Sequence, residues 1–143
     1  MLSHELVIEL TLRAEHTKIR IMQREPEWSI IFYVDERERE PVREFLQSLD
    51  LKTQARFAWS IEQLRTRNVQ AREPLVRHME GKLWELREES QTNIYRLLYF
   101  FFTGRRIVFL HGFQKKSQKT PRREIETALA RMQDFLNRQG GEP

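Results

Sequence analysis

The strongest sign of chemistry in this chain is a run of basic residues that follows an apolar stretch. The segment Ile107–Arg123 (IVFLHGFQKKSQKTPRR) passes from a predicted strand into a polar loop, and Thr120-Pro121 then opens a helix. From residue 105 to residue 123 there is no Asp or Glu, and there are seven cationic side chains: Arg105, Arg106, Lys115, Lys116, Lys119, Arg122 and Arg123. A segment with so many positive charges and no negative ones predicts a surface that binds a polyanion. Lysines at the end of a buried strand are also held rigidly enough to do chemistry.

Composition indicates one folded domain. The chain has 143 residues, of which 39% are hydrophobic, and this is enough apolar material to build a core. It has no Cys, which excludes disulfides and thiolate metal sites. Its longest apolar run, Leu97–Phe102, is far shorter than the roughly 20 residues that a membrane helix needs. The first residues lack the pattern of a secretory signal. We therefore expect a soluble, cytoplasmic protein that makes no use of a membrane.

The first 27 residues differ from the rest and are predicted to form an N-terminal extension of unknown role, followed by a domain over residues 28–143. Within the extension, Leu6-Val7-Ile8 and the alternation of Ile19 with Ile21 fit strands, whereas Leu2, Leu6 and Leu10 fit one face of a helix. The pattern leaves both alternatives open.

The first half of the domain reads as a strand and two helices. Ser29–Val34 is β-branched and aromatic, which is typical of a buried strand. Pro41–Leu49 predicts a short helix with Pro at its first position, and Asp50 is placed to cap a second helix that ends near Asn68. The second helix is expected to bury Leu51, Ala55, Ala58, Ile61 and Leu64.

The second half reads as three strands and a helix. The strands are predicted over Lys82–Arg87, Asn93–Phe102 and Arg105–Lys115, with connections short enough for antiparallel hairpins. A last helix from Pro121 to about Arg138 is expected to bury Ile125, Leu129, Met132 and Leu136. This order of elements predicts a single α+β domain.

Five blocks of the sequence, in this order, carry a resemblance to a known family. They are Trp28–Val34, Pro41–Leu49 (PVREFLQSL), Leu83–Arg87 (LWELR), Tyr95-Arg96 with Tyr99, and His111–Pro121 (HGFQKKSQKTP). In these blocks the chain resembles the phage-derived, HigB-like branch of the RelE toxin superfamily, the toxins of type II toxin–antitoxin pairs. The resemblance implies a small twisted antiparallel sheet with two N-terminal helices packed on it and a C-terminal helix.

The resemblance also implies an activity and partners. Such a toxin is a ribosome-dependent endoribonuclease that cuts mRNA in the ribosomal A site without a metal or cofactor, and a helix-turn-helix antitoxin binds it. Arg and Lys side chains surround the scissile phosphate, at positions that match Arg87, Arg96, Lys115 and Lys116. The chain departs from better-studied relatives in two ways. Lysines of the first hairpin strand map onto Leu83 and Glu85, and a tyrosine near the start of the last helix has no equivalent.

Cleavage of RNA without a metal needs a base for the 2′-hydroxyl proton, cations for the phosphorane and an acid for the leaving oxygen. Arg96 suits the second role, because a guanidinium is always charged and grips two phosphate oxygens. The alternative is a structural ion pair, for instance with Glu85. Lys115 and Lys116 are candidates for proton transfer or for clamping the phosphate. They leave the strand on opposite sides, so only one would face a cleft if the strand continued.

The other candidates have competing explanations. His111 has a near-neutral pKa and suits a base, but it lies in an apolar strand, where a hydrogen-bonded core histidine is more common. Arg87 fits either a site residue or a structural ion pair. The expected RNA-backbone contacts are Lys119, Arg122, Arg123 and Lys82. No His spacing suggests a metal site.

A second class of function fits the same basic segment. A catalytically silent RNA- or DNA-binding accessory, or a degenerate toxin, would also need a cationic surface. An arginine embedded among core residues favours the enzyme, since binding of a nucleic-acid backbone does not need a cation there.

Overall fold

A computed structural model describes residues 6–10, 19–23, 27–67, 76–116 and 119–140, the first two segments as backbone alone. Within these residues the chain forms seven strands and three helices. In chain order they are β1 (Leu6–Leu10), β2 (Ile19–Gln23), β3 (Ser29–Phe32), α1 (Pro41–Gln47), α2 (Leu51–Arg67), β4 (Val76–His78), β5 (Trp84–Ser90), β6 (Asn93–Phe102), β7 (Arg106–Lys115) and α3 (Arg122–Gly140). No described helix is both long enough and apolar enough to cross a membrane.

Five strands form one sheet in the order β3-β7-β6-β5-β4. The predicted hairpins are present, since β5, β6 and β7 pair antiparallel in sequence order. The α+β class is therefore confirmed. Two features were not foreseen: β3 runs parallel to β7, so the sheet is mixed, and the three-residue β4 adds an antiparallel edge next to β5. A strand as short as β4 carries too little alternation to be recognised in the sequence.

In the N-terminal extension, the strand alternative is correct. The segments β1 and β2 pair antiparallel, with Leu6 opposite Gln23, and form a separate two-stranded sheet. Residues 1–5, 11–18 and 24–26 of the extension lie outside the described residues, as does the predicted helix end at Asn68.

Helices α1 and α2 cover one face of the sheet. Val42, Phe57 and Leu64 from these helices are fully buried against Leu97 and Tyr99 of β6. Each such apolar side chain contributes about 1.5–3 kcal/mol relative to an exposed one. The Asp50 cap is present, because its carboxylate accepts hydrogen bonds from the Thr53 backbone N–H and hydroxyl, and these bonds lower the pKa of Asp50.

The predicted buried face of α2 is partly wrong. Leu64 is buried, but Leu51 is 81% exposed and Ala55 and Ala58 are also exposed. The helix instead buries a face that includes Thr53 and Ser60. Both hydroxyls find acceptors, Asp50 for Thr53 and the Glu88 carboxylate at 2.8 Å for Ser60, so their burial is compensated. The pattern of apolar residues alone does not reveal such partners.

Helix α3 covers the opposite face, largely as predicted. Ile125 and Met132 are buried and Leu129 and Leu136 are half-buried against the sheet. Phe135, which was not predicted, contacts Phe100 edge-to-face with ring centroids 5.9 Å apart. Helices on both faces explain why β6 is apolar almost throughout.

A β-bulge in β7 changes the direction of its side chains. Leu98 pairs with His111, but the next residue, Tyr99, pairs with Phe109, so Leu110 is an extra residue in β7. Val108 and Leu110 both pack in the core beneath α3, and after the bulge Phe113 joins the same core. From His111 onwards, the odd-numbered residues of β7 therefore face α3.

The bulge also sends Gly112 towards α1. A Cβ atom on Gly112 would lie 2.8 Å from Leu97 Cδ2 and closer still to the ring of Phe45. We expect Gly112→Ala to destabilise the fold by about 1–3 kcal/mol, because α1 must move outward. Urea unfolding monitored by tryptophan fluorescence measures this change. Adding Phe45→Leu should recover part of the loss, and fully additive effects of the two substitutions would contradict the proposed contact.

Candidate active site

A cleft of about 770 Å³ opens on the α3 side of the sheet, where β6 begins and β7 ends. Pairing places Arg87 of β5 opposite Arg96 of β6, and Ile94 of β6 opposite Lys115 of β7, so these four residues share one face. Five cationic side chains and one carboxylate are among the residues that line the cleft: Arg77, Arg87, Glu89, Thr92, Ile94, Arg96, Gln114, Lys115 and Lys116. The arrangement creates a concave, positively charged surface.

Arg96 is the most deeply placed of these cations and is only 3% exposed. Its Nη1 donates to the Tyr95 carbonyl oxygen at 2.9 Å, and its Nε lies 3.4 Å from Glu85 Oε1. Burial lowers the pKa of Arg96, and the positive charges of Arg87 and Arg77 act in the same direction, against the attraction of Glu85. Arg96 therefore lies beside Glu85, as the ion-pair alternative predicted, and it also lines the cleft.

Lys115 is 8% exposed and lines the same cleft. The bulge in β7 turns its side chain to this face, opposite Ile94. Its pKa is lowered, first by burial and then by the positive charges of Arg96 and Arg87. A lysine with a lowered pKa loses its proton more readily than an exposed one, and this suits it to proton transfer.

Lys116 lines the cleft as well, although it follows Lys115 directly. Strand β7 ends at Lys115, so the alternation that would have sent Lys116 to the opposite face no longer applies. Lys116 is exposed, whereas Lys115 is buried, so the side chains of these two neighbours differ strongly in their exposure to solvent.

Three further residues of this region, Arg77, Glu85 and Thr120, were not predicted as site residues. Arg77 of β4 lines the cleft, and its only signal was a short alternation ahead of the turn at Gly81, whose φ is +56°. From the sequence, Glu85 was a possible partner for Arg96 and a position at which relatives carry lysine. Thr120 was expected only at the opening of the last helix, but its hydroxyl donates to Glu85 Oε2 at 2.8 Å.

His111 is not among the residues that line the cleft. Its Nδ1 accepts from Arg131 Nη1 at 3.1 Å, and its Nε2 lies 2.6 Å from Glu124 Oε1. Since arginine only donates, Nδ1 carries no proton and Nε2–H donates to Glu124. The same Nη1 donates to the Leu110 carbonyl at 2.9 Å. His111 thus helps α3 to hold the bulge of β7.

The remaining basic residues lie around the start of α3. Arg122 is ion-paired with Glu80 at 2.8 Å and with Glu126 at 3.4 Å, and this joins α3 to the β4–β5 turn that carries Lys82. Arg123 lies 3.5 Å from Glu124 and is highly exposed. Lys119 and Lys82 are exposed. Of the nine predicted site residues, four line the cleft, namely Arg87, Arg96, Lys115 and Lys116.

Acid should weaken the fold through His111. Burial lowers its pKa below the usual value of about 6.5, with the positive charge of Arg131 acting in the same direction and Glu124 opposing. The neutral ring therefore stabilises the fold above about pH 6.5, and this contribution is lost as the pH falls towards the lowered pKa. We expect the free energy of unfolding to fall less steeply from pH 8 to pH 5 in His111→Asn than in the wild type. Urea titrations across this range measure it, and equal slopes would contradict the assignment.

Comparison with known proteins identifies a family and two relatives of this chain. A family model described as "Phage derived protein Gp49-like" matches residues 44–133, and this span contains every residue named as lining the cleft. Two curated relatives, both named "Probable endoribonuclease HigB1", come from Mycobacterium tuberculosis strains CDC 1551 / Oshkosh and ATCC 25618 / H37Rv. Each is 37% identical over 68 residues, which are 48% of this chain and 54% of the relative.

The chain thus spans about half the length of the curated relatives it matches. The resemblance inferred from the five sequence blocks, to the HigB-like branch of the RelE superfamily, is confirmed by these matches. The family model covers well over half of the chain, from α1 to α3. The chain belongs to the Gp49-like family of phage-derived proteins.

Proposed function

We propose that this protein is an endoribonuclease, the toxin of a toxin–antitoxin pair, and that it cleaves mRNA in the ribosomal A site. The observation that carries the proposal is the cleft in which Arg77, Arg87, Arg96, Lys115 and Lys116 converge. RNA supplies the negative charge that such a cleft attracts. The name of the matched relatives, probable endoribonuclease, supports the same class of reaction.

In the proposed reaction the 2′-hydroxyl attacks the adjacent phosphorus and the 5′-oxygen leaves. Arg96 holds two non-bridging oxygens and stabilises the charge that develops on the phosphorane, with Arg87 and Arg77 beside it. Lys115 takes the proton of the 2′-hydroxyl, because burial and the neighbouring guanidinium groups lower its pKa. Lys116, which is more exposed, protonates the leaving 5′-oxygen.

The basic residues outside the cleft fit contacts to the RNA backbone. Lys119 and Arg123 are exposed at the start of α3, and Lys82 is exposed in the β4–β5 turn. They would extend the positive surface beyond the scissile phosphate. Arg122 has a second role, since its ion pair with Glu80 ties α3 to that turn.

The proposed activity requires partners. Ribosomes present the message to the cleft, which places the protein in the bacterial cytoplasm. A helix-turn-helix antitoxin, expected from the toxin family, would restrain it between periods of activity.

We expect Lys115→Met and Arg96→Lys each to reduce cleavage by roughly 100-fold or more. Methionine keeps the apolar stem of Lys115 and removes the amine, while lysine keeps the charge of Arg96 and loses its forked donors. Lys52→Met is the matched control, because Lys52 is exposed on α2 at the opposite face of the sheet. Primer extension on mRNA, with and without programmed ribosomes, measures cleavage, and induced expression in bacteria measures growth arrest.

Cleavage by the wild type and Lys52→Met, only when ribosomes are present, with both cleft variants folded and inactive, would support the proposal. A folded wild type that binds RNA but never cuts it would favour the silent binding module. Equal cleavage of free RNA would contradict the need for ribosomes. Equal cleavage by all variants would agree with a nuclease but would contradict the catalytic roles of Lys115 and Arg96.

A further inference from the structure

Glu85 is the most deeply buried charged side chain among the described residues, with 1% of its surface exposed. It is not one of the residues that line the cleft, so it is not placed to touch substrate. Its two carboxylate oxygens nevertheless contact Arg96, which lines the cleft, and Thr120, which precedes α3. Oε1 lies 3.4 Å from Arg96 Nε, and Oε2 accepts from the Thr120 hydroxyl at 2.8 Å.

The ion pair between Glu85 and Arg96 has a geometry that contributes little to the stability of the fold. Arg96 Nε and Glu85 Oε1 are both buried and have no hydrogen-bond partner among the described residues, although they face each other. A buried pair stabilises a fold only when its geometry is good and its remaining donors and acceptors are satisfied. Apolar residues of similar volume would serve the core as well or better. A role in holding the cleft explains why a charged pair occupies this position.

Three segments meet at this one carboxylate. Glu85 lies on β5, Arg96 lies diagonally across from it on β6, and Thr120 lies just before α3. An unrestrained guanidinium at the end of a long side chain samples many rotamers. A carboxylate beside it limits these positions, and the bond from Thr120 ties the residue just before α3 to β5.

We infer that Glu85 is a positioning residue, whose carboxylate holds the Arg96 guanidinium in the cleft and anchors the start of α3 through Thr120. The inference rests on the proposed endoribonuclease function for its effect on catalysis. Its effect on Arg96 itself is independent of that function.

The charge of Glu85 gives this role a signature that a purely structural contact lacks. The charged groups that act on the pKa of Lys115 are Arg77 on β4, Glu85 and Arg87 on β5, and Arg96 on β6. Glu89 of β5 and Lys116 also line the cleft. Glu85 is the member of this group that raises the pKa of Lys115, and the three arginines lower it. Removing the negative charge therefore moves the titration of Lys115 to lower pH.

The decisive variant is Glu85→Gln, which keeps an oxygen for the Thr120 hydroxyl and removes the charge. We expect kcat to fall by about 10- to 100-fold with a much smaller change in KM, since Arg96 loses its orientation. The rising limb of the pH–rate profile, measured between about pH 6.5 and pH 9, should also move to lower pH. In ¹⁵N NMR, the Nε–H hydrogen of Arg96 should exchange with water faster, because the guanidinium is no longer restrained.

Two further substitutions separate the two contacts. Thr120→Val removes the hydroxyl and keeps the charge, so kcat should fall without movement of the pH limb, and Thr120→Ser should restore the rate. Glu88→Gln is the matched control on the same strand, because Glu88 faces α2 and accepts from Ser60. It should behave as the wild type in rate and pH profile.

Wild-type kcat and an unmoved pH limb in folded Glu85→Gln would overturn the inference. So would an unchanged Arg96 Nε–H signal, which needs no activity to be observed. If the wild type itself cuts no RNA, the proposed function fails while the NMR comparison still decides the positioning role. If Glu85→Gln does not fold, Thr120→Val and its rescue by Thr120→Ser decide whether Glu85 anchors the start of α3.

Discussion

The central strand β6 buries both of its faces and still carries one charged side chain, Arg96, at the cleft. The arrangement of the helices follows from this constraint. Tyr95, Leu97 and Tyr99 face α1 and α2, while Leu98 and Phe100 face α3. Apolar burial on both sides makes the strand a stiff support. Arg96 lies where the α3 layer gives way to the cleft, so its guanidinium reaches the cleft from a backbone that is fixed by core packing. A cation on a surface loop would not be aimed so well.

The cost of this arrangement is a local concentration of like charge. Arg87 and Arg96 are directly opposite each other on neighbouring strands, a pairing that destabilises a sheet. Glu85 and Glu89 offset part of the repulsion on the same face of β5. In the proposed function, the phosphate of bound RNA would relieve more of the repulsion, because it adds negative charge among the guanidinium groups. Stability without ligand is thus lower than an apolar version of this face would provide, which is common at functional sites.

Much of the fold is encoded locally and could be predicted from the sequence. The bounds of β6 and β7, the start of α1 at Pro41 and the Asp50 cap all follow from residue types within a few positions. Arg96 and Lys115 stand out because each is a charge in or beside an apolar run. The parallel pairing of β3 with β7, the place of Arg77 and the buried face of α2 depend on partners distant in sequence. Ser60 of α2, for example, is buried because Glu88 of β5, 28 residues away, accepts a hydrogen bond from its hydroxyl.

The bulge in β7 limits how the length of this chain can vary. The extra residue Leu110 sets the parity of all that follows, so that His111, Phe113 and Lys115 lie on one face and Gly112 on the other. A one-residue insertion or deletion between the bulge and Lys115 would exchange these faces, placing an ammonium group under α1 and removing it from the cleft. Changes of two residues would preserve the parity but shift Lys115 along the strand. The hairpin turn at 103–105, which precedes the bulge, is free of this restriction. Length variation in this fold is therefore tolerated in the turn and excluded from the last five residues of β7.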